Sequence, residues 1–180
     1  MKCYEHNIFP EIKIIENFAT SDIRGDFVKT FHSGFFYECG LDFNIMEMYY
    51  SVSRKNTIRG MHFQVPPMEH DKLIHVVRGS VEDVIVDIRR CSVNFKKAIS
   101  IRLSDAKPMS VFIPKGFAHG FKCLENDTIM LYGCSSVYDS DCDYGIRYDS
   151  IDYDWNVDNP IVSERDLSFL TLDEFSVPFQ

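Results

Sequence analysis

The strongest constraint on the fold is a set of short segments in which apolar and polar residues alternate with a period of two. Such alternation is typical of β-strands that bury one face. Turn-forming clusters at residues 24–26, 114–116 and 125–127 separate these segments. The predicted strands are residues 26–31, 44–52, 72–77, 81–88, 97–103, 110–113 and 128–137.

Strands this short and this regularly interrupted predict an all-β antiparallel sandwich or jelly roll. Residues 72–77 and 81–88, with Gly79 and Ser80 between them, form the clearest predicted hairpin. Helix signals are weak, and Ser163 is a candidate N-cap of a short C-terminal helix with Asp166 at the capping-box position. Without repeats, low-complexity segments or a linker, residues 1–180 are expected to form a single domain.

Composition limits the classes of partner and compartment. The formal net charge of -8 argues against nucleic acid or an anionic membrane as the main partner. The first fifteen residues lack the apolar core of a signal peptide, and no apolar run approaches the roughly 18–20 residues of a membrane span. The six cysteines form no C-x-x-C pair, so we expect reduced thiols in a cytoplasmic protein rather than a disulfide framework.

Four histidines are candidates for chemistry: His62, His70, His75 and His119. The segments IRGMHFQVPP (58–67) and PKGFAH (114–119) resemble the motifs of metal-binding cupins, whose H-x-H pair becomes His62-x-Gln64 here. Residues two apart share a strand face, and a neutral amide is a poor ligand for the metals that imidazole favours. We therefore expect a cupin-type double-stranded β-helix with no metal and no cofactor; a hydrogen-bonded core histidine is the weaker interpretation.

A longer series of motifs resembles the dTDP-4-dehydrorhamnose 3,5-epimerase family. The series begins with D-x-R-G-x-F from Asp22 and IRGMHFQVPP from Ile58. It continues through Lys72-Leu73, D-V-x-V-D from Asp83, IPKGFAHGF and LYGCSSVY, and ends with Trp155 and S-x-x-D from Ser163. The similarity extends from about Phe18 to Leu170 in the family's order and spacing. It implies a metal-independent jelly-roll homodimer that removes a proton beside the C4 ketone of a nucleotide-linked sugar and returns it to the opposite face.

The resemblance implies catalytic roles for five residues. His62 is the expected base, since histidine titrates near neutrality, and Asp166 hydrogen-bonds its imidazole. Tyr132 is the expected proton donor, although a buried barrel tyrosine is the structural alternative. Lys72 is expected to stabilise the enolate oxygen. Asp83 is expected to pair with Lys72, and a surface ion pair is the alternative for these two.

The remaining expected contacts are to the nucleotide and the outer sugar. Arg24 and Arg59 suit the diphosphate, because a guanidinium matches phosphate oxygens in geometry. His119 is an expected donor to sugar or phosphate, and Tyr138 is expected to stack on the base. The other predicted substrate-binding residues are Phe27, Lys29, Glu47, Tyr49, Gln64, Asp143 and Arg165.

The sequence departs from the family pattern at nucleotide-contacting positions. Lys29 stands where the family has an acidic residue, and Glu47 and Tyr49 stand where it has a Gln-x-Asn pair. After the second tyrosine, the family's acidic residue is the shorter Asp143, and the family's usual proline is replaced by Ser140. A carboxylate only accepts hydrogen bonds, so Glu47 fits the two adjacent N–H donors of guanine better than thymine. We therefore expect a GDP-linked 4-keto-6-deoxy sugar or heptose.

Several alternatives stay open from sequence alone. The alternative nucleotide is dTDP, as in rhamnose synthesis. The inverted carbon could be C3, C5 or both, and the product could enter capsule or lipopolysaccharide synthesis. A related 3,4-ketoisomerase would lack the Lys72 and Tyr132 combination. A non-catalytic nucleotide-sugar-binding cupin would not need His62 and Asp166 as well.

A homodimer is also expected, because the edge strands of a jelly roll need cover. The N-terminal segment is apolar enough to lie across a partner, with Ile8, Phe9, Ile12, Ile14 and Ile15.

Overall fold

The computed structural model of the chain describes residues 1–179 and is dominated by antiparallel β-strands. The strands are β1 (Lys2–Glu5), β2 (Lys13–Glu16), β3 (Phe18–Asp22), β4 (Gly25–Lys29), β5 (Glu47–Ser53), β6 (Ile58–Gln64), β7 (Lys72–Arg78), β8 (Ser80–Asp87), β9 (Ala98–Ser104), β10 (Met109–Ile113), β11 (Phe117–Cys123), β12 (Thr128–Cys134) and β13 (Asp143–Gly145). The helices are α1 (Ser33–Glu38), a 3-10 turn (Tyr148–Ser150) and α2 (Glu164–Leu167). None of the helices in this part of the chain is long and apolar enough to cross a membrane.

Two main sheets face each other across the core. One has the order β1-β2-β10-β7-β12-β5 and the other β13-β6-β11-β8-β9, while β3 and β4 form a separate hairpin. Ile74 and Met130 from the first sheet pack with Val81 and Phe121 from the second in one buried cluster. The predicted all-β jelly roll is therefore confirmed.

The outer faces of both sheets are covered by the chain's own segments. Trp155, Leu172 and Phe179 belong to a buried cluster with Ile58 and Val84 of the five-stranded sheet. Helix α1 and the loop after it cover part of the six-stranded sheet in a third cluster. Strands buried on both faces read as continuous apolar runs, which explains the weak alternation in residues 72–88.

The predicted hairpin between residues 72–77 and 81–88 is wrong. Strand β7 lies between β10 and β12, whereas β8 lies in the opposite sheet between β11 and β9. Gly79 turns the chain from one sheet to the other with φ +80°, and a Cβ there would lie 2.5 Å from Thr128 Oγ1. A glycine corner between packed sheets has the same sequence signature as a hairpin turn, so periodicity cannot distinguish them.

Two further predictions need correction. The side chain of Ser163 caps α2 by accepting the Asp166 N–H at 3.1 Å, but the Asp166 carboxylate does not complete the capping box, because it contacts other groups. Phe9, Ile12 and Ile15 are buried in the chain's own core, so the N-terminal segment is not a free apolar cover for a partner. Strands β1, β2, β3, β11 and β13 and helix α1 were not among the predicted elements, and β6 was expected only as the strand that carries His62 and Gln64.

Strands β6 and β11 approach unusually closely at two glycines. His62 on β6 lies opposite His119 on β11, and the register shifts between His119 and Phe121. Gly60 has φ +133°, and a Cβ there would lie 2.5 Å from the Gly120 Cα. A side chain at Gly60 would therefore force apart the two strands that carry these histidines.

We predict that Gly60→Ala lowers the free energy of unfolding by about 1–3 kcal/mol or more, because it adds both positive-φ strain and a backbone clash. Urea unfolding measures the loss. Gly25→Ala is the matched control, since Gly25 has φ +113° but no atom within 4 Å of the place that a Cβ would occupy. Equal losses in the two variants would show that the close strand approach is unimportant.

Candidate active site

A cavity of about 380 Å³ opens between the two sheets. Strands β5 and β12 contribute Glu47, Tyr49 and Tyr132 from one sheet, and β6 contributes His62 and Gln64 from the other. Alternate residues of a strand share a face, so each strand presents residues two apart to the cavity. The predicted site residues that line it are Glu47, Tyr49, Arg59, His62, Gln64, Lys72, His119, Tyr132, Tyr138, Asp143 and Arg165.

His62 and Asp166 form a hydrogen-bonded pair at the cavity wall. His62 Nε2 lies 2.9 Å from Asp166 Oδ1, and the Gly60 N–H donates to Asp166 Oδ2 at 3.0 Å. The carboxylate is nearly buried, with 5% of its side chain exposed, whereas the imidazole is 30% exposed. Because the carboxylate accepts from Nε2–H, Nδ1 is the His62 nitrogen that can accept a proton.

The surroundings keep Asp166 ionised. Burial alone would raise the pKa of Asp166, but the hydrogen bonds from His62, Gly60 and Ser163 and the charge of His62 together lower it below its ordinary value. An ionised carboxylate stabilises the imidazolium that forms when His62 takes a proton. The pair therefore has the properties of an oriented general base.

Tyr132 stands on the opposite sheet from His62. Its ring stacks on Tyr49 with centroids 4.7 Å apart, and its hydroxyl lies 3.2 Å from Ser51 Oγ. Burial raises the pKa of the Tyr132 phenol well above its ordinary value, so the hydroxyl stays protonated at neutral pH. It can therefore donate a proton or a hydrogen bond into the cavity.

Lys72 supplies a buried cation at the cavity wall. Only 7% of the residue is exposed, and burial lowers the pKa of its amine, with Cys134, Asp83 and Asp143 opposing this. Within residues 1–179, its amine makes no ion pair within 4.0 Å. A buried lysine facing a cavity without a fixed partner is suited to negative charge on a ligand.

The predicted Lys72–Asp83 pair is wrong. Asp83 Oδ1 instead lies 2.6 Å from His119 Nε2, behind the cavity wall, and both side chains are almost fully buried. Burial raises the pKa of Asp83 and lowers the pKa of His119, while the contact between them opposes both shifts. Asp83 therefore orients His119 rather than neutralising the lysine.

Gln64 uses its amide to join two loops. Its Nε2 donates to Met68 O at 2.8 Å and Val137 O at 3.1 Å, and its Oε1 accepts the Asp139 N–H at 2.8 Å. Among residues 1–179, no group of three or more His, Cys, Asp or Glu side chains is arranged to hold a metal. The prediction that the reaction needs no metal stays a prediction.

The nucleotide-side residues are partly committed to contacts within the protein. Glu47 Oε2 accepts the backbone N–H of Tyr138, and Asp143 Oδ2 accepts from Arg165 Nη2 at 2.5 Å. Arg59 donates through Nε to Ser53 Oγ at 3.0 Å, which leaves the end of its guanidinium for a ligand. Glu47 therefore orders the Tyr138 backbone, a role that its sequence position did not predict.

Arg24, Phe27 and Lys29 do not line this cavity. They lie on or beside the separate β3–β4 hairpin, where Arg24 forms an exposed ion pair with Asp22 at 2.6 Å. Phe27 packs against Phe18 and is 56% exposed. They therefore do not meet a ligand in the cavity of their own chain, and the prediction that they bind substrate stays a prediction.

Six residues that line the cavity were not among the predicted site residues: Ser51, Phe63, His70, Phe121, Cys134 and Ser136. Of these, only His70 had been considered, as one of the four candidate histidines. Three of them follow a predicted site residue by two positions on the same strand, namely Tyr49, His119 and Tyr132. The period-two rule would have found these three. His70 lies in a loop, where no periodicity applies.

The fold and the cavity together define a class. A cupin-type barrel holds an oriented histidine base, a protonated tyrosine and a buried lysine around one cavity, an arrangement suited to moving a proton at a carbon beside a carbonyl. The family model described as dTDP-4-dehydrorhamnose 3,5-epimerase matches residues 7–174. The chain belongs to this family, and the predicted activity as an isomerase, an epimerase of nucleotide-linked 4-keto sugars, is confirmed at the level of the class.

Individual relatives agree along nearly the whole chain. A dTDP-4-dehydrorhamnose 3,5-epimerase of Methanothermobacter thermautotrophicus is 39% identical over 166 residues, which cover 89% of each chain. The structure of dTDP-6-deoxy-D-glucose-3,5-epimerase from Legionella pneumophila in complex with dTDP-4-keto-L-rhamnose matches with a TM-score of 0.93 and 30% identity, covering 99% of this chain and 98% of the other. A dTDP-4-dehydrorhamnose 3-epimerase of Streptomyces niveus is 31% identical over 157 residues, covering 86% of this chain and 76% of its own.

We predict that Asp166→Asn lowers the turnover number by on the order of 10²–10⁴-fold while the protein stays folded. The protein should stay folded because the amide oxygen still accepts the Gly60 N–H. Turnover should fall because the amide turns an N–H towards His62 Nε2 and so favours the wrong tautomer of the imidazole. Steady-state kinetics beside a urea unfolding curve measures this. Turnover within threefold of the unchanged protein would show that Asp166 does not set the tautomer of His62.

Proposed function

We propose that this protein epimerises a dTDP-linked 4-keto-6-deoxyhexose at C3 and C5 by removing a proton beside the C4 ketone and returning it to the opposite face. The observation that carries the proposal is the placement of His62 and Tyr132 on opposing sheets around one cavity. A ligand between the sheets has the base on one side and the proton donor on the other. Inversion requires such a separation, because a single group would return the proton to the face it left.

The first step is removal of the proton by His62. A C–H beside a ketone is a weak acid, so the base must act while the developing negative charge is stabilised. His62 Nδ1 takes the proton, and the Asp166 carboxylate holds the resulting imidazolium through Nε2–H. The electrons of the C–H bond form the enolate, whose charge lies mainly on the C4 oxygen.

Lys72 is the proposed partner of that oxygen. Its amine is buried in the cavity wall, where a charge interaction is stronger than in water. The positive charge is in place before the reaction and meets negative charge only as the enolate forms. Tyr132 then donates its proton to the carbon from the other face and is reprotonated from solvent, while His62 releases the proton it took to solvent. A ring flip lets the same groups serve the second carbon.

The proposed nucleotide is dTDP, the alternative from sequence, rather than the predicted GDP. The GDP expectation required a Glu47 carboxylate free to accept from guanine, but one of its oxygens already accepts the Tyr138 N–H. The relatives named above are dTDP-sugar enzymes, which supports the same choice. The product would serve rhamnose-containing surface polysaccharides, and the six free thiols suit the reducing cytoplasm.

The test is incubation of the protein in heavy water with dTDP-linked and GDP-linked 4-keto-6-deoxyglucose, followed by NMR of the sugar. We expect deuterium at C3 and C5 of the dTDP sugar and much slower labelling of the GDP sugar. Label at C3 alone would restrict the activity to one carbon. A dTDP sugar that stays unlabelled would contradict the proposal, and equal labelling of both sugars would contradict the nucleotide choice.

Two variants separate the steps. His62→Asn should abolish labelling at both carbons, because it removes the base. Tyr132→Phe should retain labelling but slow inversion, since the proton still leaves while its replacement on the other face is impaired. Normal inversion by Tyr132→Phe would show that water or another group is the donor.

We further propose a homodimer in which the β3–β4 hairpin of one copy reaches the cavity of the other. The hairpin is separate from both main sheets and exposes Phe18, Ile23 and Phe27. The outer face of the edge strand β5 also exposes Met48 and Tyr50. Exposed apolar surface of this kind needs cover, and Arg24 and Phe27 cannot meet a ligand in their own cavity as they stand.

Mixing two inactive variants tests this arrangement. If Arg24 acts in the partner's cavity, heterodimers of Arg24→Ala and His62→Asn contain one fully intact cavity, so random mixing should restore activity to about one quarter of the unmixed protein. If Arg24 acts within its own chain, mixing should restore nothing. Sedimentation of the unchanged protein as a monomer at micromolar concentration would refute the dimer itself.

A further inference from the structure

His70 is a cavity-lining histidine that the steps above do not use. It lies in the loop between β6 and β7, two residues before Lys72, and lines both the main cavity and a small recess behind it. Its Nδ1 lies 3.2 Å from Gln64 Nε2. This contact leaves the other ring nitrogen, Nε2, available for a different partner.

The orientation of the Gln64 amide determines which nitrogen of His70 carries the proton. The Asp139 N–H donates to Gln64 Oε1 at 2.8 Å, so this end of the amide must be the oxygen. The NH2 end therefore faces the carbonyl oxygens of Met68 and Val137 and His70 Nδ1. The two hydrogens of this NH2 group are directed to the two carbonyl oxygens, and its nitrogen cannot accept a hydrogen bond. A proton on His70 Nδ1 would therefore have no acceptor in this contact, which places the ring proton on Nε2.

The charges around the ring keep it neutral. Burial lowers the pKa of His70 to about 3, and the positive charge of Lys72 adds to the effect. The other titratable groups that line the recess are His62, Lys115 and His119, and within residues 1–179 no carboxylate lines it. Glu69 precedes His70 in the chain, but its carboxylate pairs with Lys115 at 3.4 Å. Both causes that act on the pKa of His70 therefore favour the neutral imidazole.

We propose that His70 is a substrate-contacting residue whose Nε2–H donates a hydrogen bond to the C4 oxygen of the keto sugar beside Lys72. This inference rests on the proposed function, because it assigns a second donor to the same oxygen. Within residues 1–179, His70 Nε2 has no hydrogen-bond partner of its own. A neutral donor suits this place, since a second cation beside Lys72 would be repelled by it.

The division of labour between the two donors has a chemical reason. Lys72 supplies charge, but its amine sits on a flexible chain and fixes direction poorly. The imidazole of His70 is a short, rigid ring that lies against the Gln64 amide, so its N–H has fewer accessible directions than the lysine amine. Together they would hold the C4 oxygen in place while the adjacent C–H faces His62.

The test compares two substitutions at His70 by the rate of deuterium incorporation from heavy water into the dTDP-linked 4-keto sugar. His70→Phe keeps a planar ring but removes the donor, and we expect on the order of a 10²-fold slower exchange. His70→Gln keeps an N–H donor and should recover to within roughly tenfold of the unchanged protein. His75→Phe is the matched control, because His75 is a buried histidine outside the cavity; its exchange rate per folded molecule should be unchanged.

A second measurement does not depend on turnover. Nitrogen-15 NMR of the histidine side chains should show His70 as the Nε2–H tautomer without titration between pH 5 and pH 8. Titration of His70 near its ordinary pKa, or an Nδ1–H tautomer, would overturn the inference even if His70→Phe folds poorly.

The outcomes separate the two claims. If the unchanged protein labels the sugar but His70→Phe labels it equally fast, the donor role is wrong and the proposed function stands. If the unchanged protein labels no 4-keto sugar, the proposed function fails and the donor role fails with it. Slow exchange in both His70→Phe and His70→Gln would assign His70 to packing and overturn the donor role.

Discussion

The Asp166 carboxylate is the contact on which the catalytic geometry depends. It joins the C-terminal helix α2 to strand β6, because one oxygen accepts the Gly60 N–H and the other accepts from His62. Charge-assisted hydrogen bonds of this kind contribute about 1.5–3 kcal/mol each. Gly60 is also one of the two glycines at which β6 and β11 approach closely, so the same residue serves the packing of the two strands and the contact to Asp166.

Burial has opposite chemical effects on the groups around the cavity, and these effects complement one another. It raises the pKa of Tyr132 and so preserves a proton donor, whereas it lowers the pKa of Lys72, so that negative charge on a ligand would stabilise the charged form of the amine. For Asp166, hydrogen bonds outweigh burial and keep the carboxylate charged. One poorly hydrated cavity thus holds an acid, an electrostatic partner and an oriented base.

The sequence predicted the faces of the strands better than it predicted their neighbours. Alternation located most central strands, and motif order brought eleven of the predicted site residues to one cavity. Periodicity says nothing about which strand lies alongside, so the β7–β8 hairpin and the Lys72–Asp83 pair were both wrong. The position of Arg24 depends on the β3–β4 hairpin, whose separation from both sheets is a tertiary feature that local pattern does not encode.

Gln64, which stands where the cupin motif has its second histidine, joins two segments of the cavity wall. Its amide connects the loop that carries His70 to the segment that carries Tyr138, through Met68 on one side and Val137 and Asp139 on the other. Glu47 holds the same segment from strand β5 through the Tyr138 N–H. The proposed sugar end and the proposed nucleotide end of the cavity therefore share one hydrogen-bonded framework. A change of nucleotide specificity in this barrel must consequently be made without releasing Gln64, because the orientation of the sugar-side groups depends on the same contacts.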